Sequence, residues 1–350
     1  MDRIYLITGA SGHLGRHITA QLLAQGARIR VLLLPGEKAP QLQAANLDIV
    51  RGDVRDAESL RPLFAGLAGR QVVVIHAAGI IDITSNVSPR AFQVNVQGTQ
   101  NMVRLALQHQ VWRFIHISSV HAIPEPAAGR QITEVAHFSP EEVSGGYAKT
   151  KAEASQYVMD AIHSQGLPGV ILHPSGIIGP QDAGNNNVVA VIKGYLSGRF
   201  PACPRGGYNL VDVRDVAAAC LAAVDKGAVG EGYILSGHHA EFNQIFAMLR
   251  AITGQRKKRQ PVVPLWMAKL AAPLLEKNAL RKKEKPLVTR YSLATLASND
   301  NFSHEKASRQ LGFWPRELYT TLEDTVAWLR EVGALPARKA RRKRRAAAQS

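Results

Sequence analysis

The chain has 350 residues, 46% of them hydrophobic and 20% charged, long enough to bury a sizeable core without disulfides. No run of about 18 apolar residues offers a membrane-spanning helix, and Cys203 and Cys220, with no CxxC spacing and no histidine pair nearby, give neither a disulfide framework nor a zinc site. Forty-three Lys and Arg against 27 Asp and Glu leave +16, but three runs hold most of it, +4 at 256–259, +3 at 281–285 and +7 within 338–345, so the nearly neutral body is not a general nucleic-acid binder.

The N-terminus enters an apolar strand at once, without the charged and apolar regions of a signal peptide, which predicts a cytoplasmic protein. Strand-like runs follow at Arg3–Thr8, Arg28–Leu34, Leu47–Arg51, Gln71–His76, Arg113–Ser118 and Val170–Pro174, with helix-like stretches at 13–26, 56–66, 88–110 and 146–165 between them. This alternation predicts an α/β fold, a Rossmann-type doubly wound parallel sheet, over residues 1–180. After Pro180 the rhythm loosens at Gly184–Asn187, and a further strand, helix and strand at 208–236 return to the first domain. Residues 181–207 and the mainly helical 237–335 are predicted to form a smaller substrate-binding region. Residues 336–350, mostly Ala, Arg and Lys, are too poor in apolar side chains for a core and predict a disordered basic tail.

The first strand runs straight into Thr8-Gly9-Ala10-Ser11-Gly12-His13-Leu14-Gly15 and then a helix. In that setting glycines permit a tight turn, a close backbone approach to a pyrophosphate and close helix packing, with phosphates on the free N–H groups of the helix start. The spacing, Gly-x-x-Gly-x-x-Gly, differs from the usual dinucleotide fingerprint. Further along, Tyr147 and Lys151 stand four apart on a predicted helix, on one face about one turn apart. A phenol with an ordinary pKa near 10 is a poor acid or base at neutral pH until a cation favours the phenolate, and Lys151 is the cation at hand. His238-His239 lacks further ligands at metal-binding spacing, and no Gly-x-Ser-x-Gly elbow supports a hydrolase.

Taken in order, the glycine motif, Gly52-Asp53-Val54-Arg55-Asp56, His76-Ala77-Ala78-Gly79, Asn95 in VNVQGTQN, Ser118-Ser119, Tyr147-Ala148-Lys149-Thr150-Lys151 and the His173–Pro180 run HPSGIIGP resemble one superfamily. This is the extended short-chain dehydrogenase/reductase, or NAD-dependent epimerase/dehydratase, superfamily, and the chain is most similar to its dihydroflavonol reductase-like and 3β-hydroxysteroid dehydrogenase-like branch over about residues 1–335. The resemblance implies that Ser119 holds the substrate oxygen and Tyr147 exchanges its proton. It also implies that Lys151 binds the nicotinamide ribose and that Asn95, the fourth member of the catalytic set, gives local backbone support and a water relay. It implies further that Gly9, Ser11, Gly12, His13, Leu14 and Gly15 surround the pyrophosphate, that Asp53 and Val54 meet the adenine, and that Ala77, Ala78 and Gly79 border the nicotinamide ribose. His173, Pro174 and Ser175 belong to the same cofactor surface, His173 standing where many relatives carry arginine and supporting the site.

The end of the second strand, where an acid would select NAD and an arginine NADP, holds Leu33-Leu34-Pro35. Both cofactors stay open: Lys38 or Arg30 could supply a positive charge and Glu37 could serve NAD, with the balance tipping slightly to NADP. The implied function is an oxidoreductase that interconverts a carbonyl and a secondary alcohol on a small hydrophobic or ring substrate, without a metal. Val120 and His121 follow Ser119 where sugar-nucleotide dehydratases carry an acidic pair, which disfavours dehydration. A sugar-nucleotide epimerase with tightly bound NAD and a non-catalytic NAD(P)-sensing protein remain as alternatives.

Residues 261–275 are apolar and bracketed by the first two basic runs, which reads either as a helix packed over the substrate pocket, the heavier alternative, or as one dipping into an anionic membrane surface. The tail reads as a solubility element or as a contact for a polyanion or an anionic membrane, without specific nucleic-acid recognition. The resemblance also implies a homodimer paired through helices near 92–109 and 146–163.

Overall fold

In the computed structural model, described for residues 2–39, 41–82, 87–126, 129–182, 186–255, 260–281 and 288–335, the chain opens as β1 (Arg3–Thr8), α1 (His13–Ala24), β2 (Arg28–Leu33), β3 (Leu47–Arg51), α2 (Ala57–Phe64) and β4 (Gln71–His76). It continues with α3 (Pro89–Phe92), a π-helical turn at Gln93–Gln97, α4 (Gly98–Gln108), β5 (Arg113–Ile117), α5 (Gly146–Gln165), β6 (Gly169–Pro174) and β7 (Gly176–Ile178). Then come α6 (Asn187–Leu196), β8 (Cys203–Pro204), β9 (Gly207–Asp212), α7 (Val213–Lys226), β10 (Gly232–Leu235) and β11 (His238–Glu241). The last elements are α8 (Phe242–Thr253), β12 (Val262–Val263), α9 (Leu265–Arg281), α10 (Arg290–Thr295), α11 (Glu305–Leu311) and α12 (Leu318–Glu331). The basic run at 256–259, residues 282–285 of the second run, the 336–350 tail and Gly184 and Asn185 of the loosened segment lie outside the described residues.

Seven strands form a parallel sheet in the order β10-β6-β5-β4-β1-β2-β3. Its central strands are continuously apolar because both faces are covered: in β1, Ile4 and Leu6 enter the core shared with α2, α4 and α5, while Tyr5 and Ile7 enter the core shared with α1 and α7. At the edge, β3 exposes Asp48 and Arg51, charges that blunt an open strand. Because β1 lies between β2 and β4, the chain leaves β1 and β4 in opposite directions, opening a crevice at the carboxyl ends of the strands.

The rest of the chain does not sit wholly apart from this sheet. Of the 208–236 segment, β10 joins the large sheet beside β6, while β9 lies in a small sheet between β7 and β11. A third core gathers Ile178, Tyr195, Phe246, Leu322 and Val326 from β7, α6, α8 and α12. In α11 and just beyond it, Ala307, Leu311 and Phe313 pack back into the α1/α7 core. Arg214 bridges Asp212 and Asp324, both at 2.7 Å, and Arg316 grips Asp215 at 2.7 Å, tying α7 to α12.

The helix expected over 88–110 is instead three pieces. Ser88 caps α3 by accepting the Ala91 N–H, and the π turn widens the ladder by one residue before α4 resumes. Such turns often re-aim one side chain, and this one carries Asn95. At Gly98, which follows it, a Cβ would stand 2.7 Å from Val54 Cγ2, so the helix can lie against the loop after β3.

Candidate active site

The turn after β1 is built on close backbone packing. Gly9 has φ +72°, and a Cβ there would lie 2.7 Å from the main chain of Ala77 and Ala78, so the loops leaving β1 and β4 touch only because Gly9 has no side chain. At Gly15 a Cβ would come within 2.1 Å of the Gly9 carbonyl. Gly12 differs: it is exposed, and a Cβ there would face the Gly9 carbonyl alone, at 3.2 Å. The Gly12 N–H donates to Gly9 O at 3.0 Å and α1 begins at the next residue. The N–H groups of its first turn have no acceptor within the helix. Leu14 is buried and anchors α1 in the core. The His13 ring bonds the Pro180 carbonyl at 2.9 Å, as does His17 at 3.1 Å, and the Ser11 carbonyl accepts from Arg16 Nε at 2.7 Å. What His13 and Leu14 leave for the crevice is therefore chiefly backbone.

At the outer strand ends, the Asp53 carboxylate is bonded to Arg55 at 2.6 Å, and Arg55 holds it below the usual carboxylate range. Val54 turns its side chain into the core against Gly98. Arg30 does not reach the end of β2: it donates to the carbonyls of Pro62, Leu63 and Ala65 at the C-terminal end of α2. The cation beside Leu34 is Arg51, which donates to Leu34 O at 3.1 Å and Glu37 O at 2.5 Å, while the Glu37 carboxylate accepts the Leu34 N–H at 2.9 Å.

Across the crevice, side chains replace backbone. The Ala78 N–H donates to Thr8 Oγ1 at 3.2 Å, and Thr99 Oγ1 donates to the Asn95 carbonyl at 2.7 Å. With the ring neutral, Thr8 donates to His76 Nδ1 at 2.8 Å and His76 Nε2–H donates to Thr99 at 3.0 Å, one continuous chain. Burial, reinforced by Lys151, pushes His76 down to about 3. Asn95 accepts the Ile80 N–H at 2.8 Å and donates to Ile80 O and to Thr150 Oγ1, both at 3.0 Å; Thr150 donates in turn to Tyr147 O at 2.8 Å. The π turn thus locks the loop after β4 to the first turn of α5.

Lys151 Nζ donates to Ile117 O at 2.8 Å, and burial lowers it to about 8. A Cβ on Gly79 would lie 3.4 Å from this amine and from Asn95 Oδ1, which sets the loop after β4 directly against both. The two serines after β5 part company. Ser118 Oγ pairs with buried Ser155 Oγ at 2.7 Å, whereas Ser119 Oγ accepts the His121 N–H at 3.2 Å and acts on Tyr147. His173 Nδ1–H donates to Ser119 O at 3.2 Å and its ring stacks on Phe138, so His173 holds the Ser119 backbone. The His121 ring meets Tyr147 edge-on at 6.2 Å. The tyrosine–lysine spacing suggested a phenol made acidic by Lys151, but burial pushes Tyr147 up to about 12, with Ser119 pulling weakly the other way. The phenol is desolvated while the amine is engaged with Ile117 O.

A sequence profile of the NAD dependent epimerase/dehydratase family matches residues 5–236. The chain belongs to this family. Sterol demethylase protein B of Methylococcus capsulatus is 31% identical, covering 94% of this chain and 99% of its own. A putative dihydroflavonol 4-reductase of Synechocystis is 30% identical over 95% of this chain and 96% of its own. The crystal structure of gox2253 superposes with a TM-score of 0.80 at 30% identity, covering 96% of this chain and 100% of that one. The chain is thus an enzyme of the extended short-chain dehydrogenase/reductase type, with dihydroflavonol reductase-like and 3β-hydroxysteroid dehydrogenase-like homologues.

An NAD dependent epimerase/dehydratase-family chain has a nicotinamide dinucleotide to hold, and the residues here fit one. A Cβ on Gly12 would fill the space over the start of α1, where anions are favoured by unpaired N–H groups and the helix dipole. On the loop after β6, Ser175 Oγ is buried with no hydrogen-bond partner, a donor and acceptor awaiting a polar ligand. Thr99 and the position of Arg51 beside Leu34 were not singled out from sequence, and Thr8 and Thr150 entered only as members of motifs, without a role. The partners of His76 lie 68 and 23 residues away, and no spacing rule reaches them. Among the described residues no cluster of His, Cys, Asp and Glu could hold a metal ion, and no helix is long and apolar enough to cross a membrane.

Proposed function

We propose that this enzyme reduces a carbonyl to a secondary alcohol, and runs the reverse reaction, on an apolar ring-containing substrate. The observation that carries the reading is the placing of the Tyr147 phenol beside Ser119 and one helical turn from buried Lys151, whose amine sits at the carboxyl end of β5. Bound nicotinamide supplies the hydride for the carbonyl carbon. Ser119 Oγ holds the carbonyl oxygen. Tyr147 gives that oxygen its phenolic proton, and a pKa near 12 keeps the proton in place at neutral pH, the state a reductase needs before each turnover. Lys151, largely protonated below about 8, stabilises the phenolate that results until solvent returns the proton. His173 and Asn95 act through others: one fixes the Ser119 backbone, the other fixes the first turn of α5.

The substrate class draws on two relatives whose names speak of a sterol and a flavonol, both fused or linked rings. Val120 and His121 after Ser119 supply no acidic pair for an elimination. NADP is the favoured cofactor because Arg51, not Arg30, brings a guanidinium to the end of β2, although Glu37 lies beside it. The test is a panel of cyclic ketones and alcohols, sterol-like ones included, followed with NADH and NADPH separately at the nicotinamide absorbance band. Turnover with net cofactor consumption is expected, faster with the phosphorylated form. Copurified NAD with no net consumption points to an epimerase, and binding without turnover across the panel points to a sensor; either outcome overturns the reading.

A further inference from the structure

Helix α9 turns its apolar residues the wrong way for a core. Its inward line is short: Ala272 is buried and Leu265 and Ala268 are partly buried against the α6/α8/α12 core. On the outward face Trp266, Leu270 and Leu274, spaced four apart, are 64%, 71% and 74% exposed, with Met267 and Leu275 beside them. Five large apolar side chains on one stripe form a contiguous patch, unlike the single exposed hydrophobes that any surface carries. The exposed charges of this helix are cationic, Lys269, Lys277 and Arg281, with Glu276 half-buried. Across residues 256–285 the sequence places ten lysines and arginines against two glutamates, on either side of the stripe, in a body that is otherwise nearly neutral.

We propose that α9 docks this enzyme on an anionic lipid surface, lying in the plane of the interface with Trp266, Leu270 and Leu274 below the headgroups. The charge pattern selects this occupant: an apolar stripe alone would suit any protein groove, but one whose helix carries Lys269, Lys277 and Arg281 as its exposed charges, with basic runs before and after it in the sequence, matches acyl chains beneath a negative headgroup layer. At 17 residues, with lysines along its length, α9 lies on a bilayer and does not span it. The proposal rests on the outer face of α9, not on the identity of the substrate, so it stands or falls separately from the reductase reading.

The experiment is flotation of the full chain with vesicles of phosphatidylcholine alone and of phosphatidylcholine mixed with phosphatidylglycerol. Flotation with the anionic vesicles is expected, weak or absent with the neutral ones, and reduced by raising salt. Leu270→Glu/Leu274→Glu, at positions exposed enough to leave the fold intact by circular dichroism, is expected to abolish it, and Lys269→Gln/Lys277→Gln to weaken it severalfold. Tryptophan emission is expected to shift to the blue on anionic vesicles in the parent and not in Trp266→Phe. Absence of flotation, equal flotation of the double glutamate variant, or binding indifferent to anionic lipid overturns the proposal. So does a dimer in solution that the glutamate variant dissociates, because the stripe would then be covered by a second copy.

Discussion

The two walls of the crevice are made by opposite means. Behind β1 the wall is backbone, shaped by side chains that are missing at Gly9, Gly12 and Gly15. Behind β4, β5 and α5 it is side chains, His76, Asn95, Thr150, Lys151 and His173, each bonded to another part of the wall. On the first wall, adding an atom is the perturbation that matters. On the second, removing one is, and the Tyr147 hydroxyl can be removed with little structural consequence because it meets Ser119, whose backbone is held separately by His173.

The largest effect is therefore expected from Tyr147→Phe. The ring keeps its place against His121 while the transferable proton is lost, so kcat should fall by about 10²–10⁴-fold. Cofactor binding to the glycine wall should change little. Steady-state kinetics with a substrate from the panel, alongside a cofactor titration, check both halves, and turnover near the parent's would remove Tyr147 from the chemistry.

The glycine wall is expected to divide by position. Gly9→Ala forces a side chain into a left-handed backbone and against the Ala77 and Ala78 main chain, and should destabilise the fold by about 2–4 kcal/mol. Gly12→Ala meets only one carbonyl at the limit of contact, so stability should stay within about 1 kcal/mol of the parent while cofactor affinity drops, since the new methyl occupies ligand space. Thermal melts and a cofactor titration on both variants separate the cases. Equal loss of stability in the two would mean that Gly12 serves packing, as Gly9 does.

The same contrast explains what could be read from sequence. The six strands of the first half fall within one residue of their expected limits; for the central ones this is because a sheet buried on both faces demands unbroken apolar runs, and Ile4–Ile7 or Val72–Ile75 can hardly be anything else. The glycine turn was legible for a similar reason: its function is local. The side-chain wall was legible only as isolated residues. A π turn has no periodicity that separates it from the helices on either side, so Asn95 could be named but its aim at Ile80 and Thr150 could not. Spacing shows that Lys151 is near Tyr147 but not that both groups are dry. The apolar 261–275 segment gave two readings because composition does not say which face of a helix turns outward, and α9 turns its larger residues out.

The smallest effect tests the dryness of the second wall. Lys151 is buried, and its pKa is lowered to about 8 from 10.5, whereas the unfolded chain holds that proton at the ordinary value. In the interval between the two, unfolding takes up a proton, so the stability contributed at this site rises with pH, the reverse of a lysine whose charge is paired. Other groups titrate over the same range, including Tyr147, whose raised pKa makes folding less favourable above about 10; a difference measurement cancels what the two proteins share. Relative to Lys151→Met, the parent should gain about 1 kcal/mol over the pH unit above about 8, read from denaturant melts at matched ionic strength. Gly12→Ala, on the backbone wall, should run parallel to the parent. A parent curve parallel to Lys151→Met as well would show that the amine is hydrated, and the two walls would then differ in composition but not in their exclusion of water.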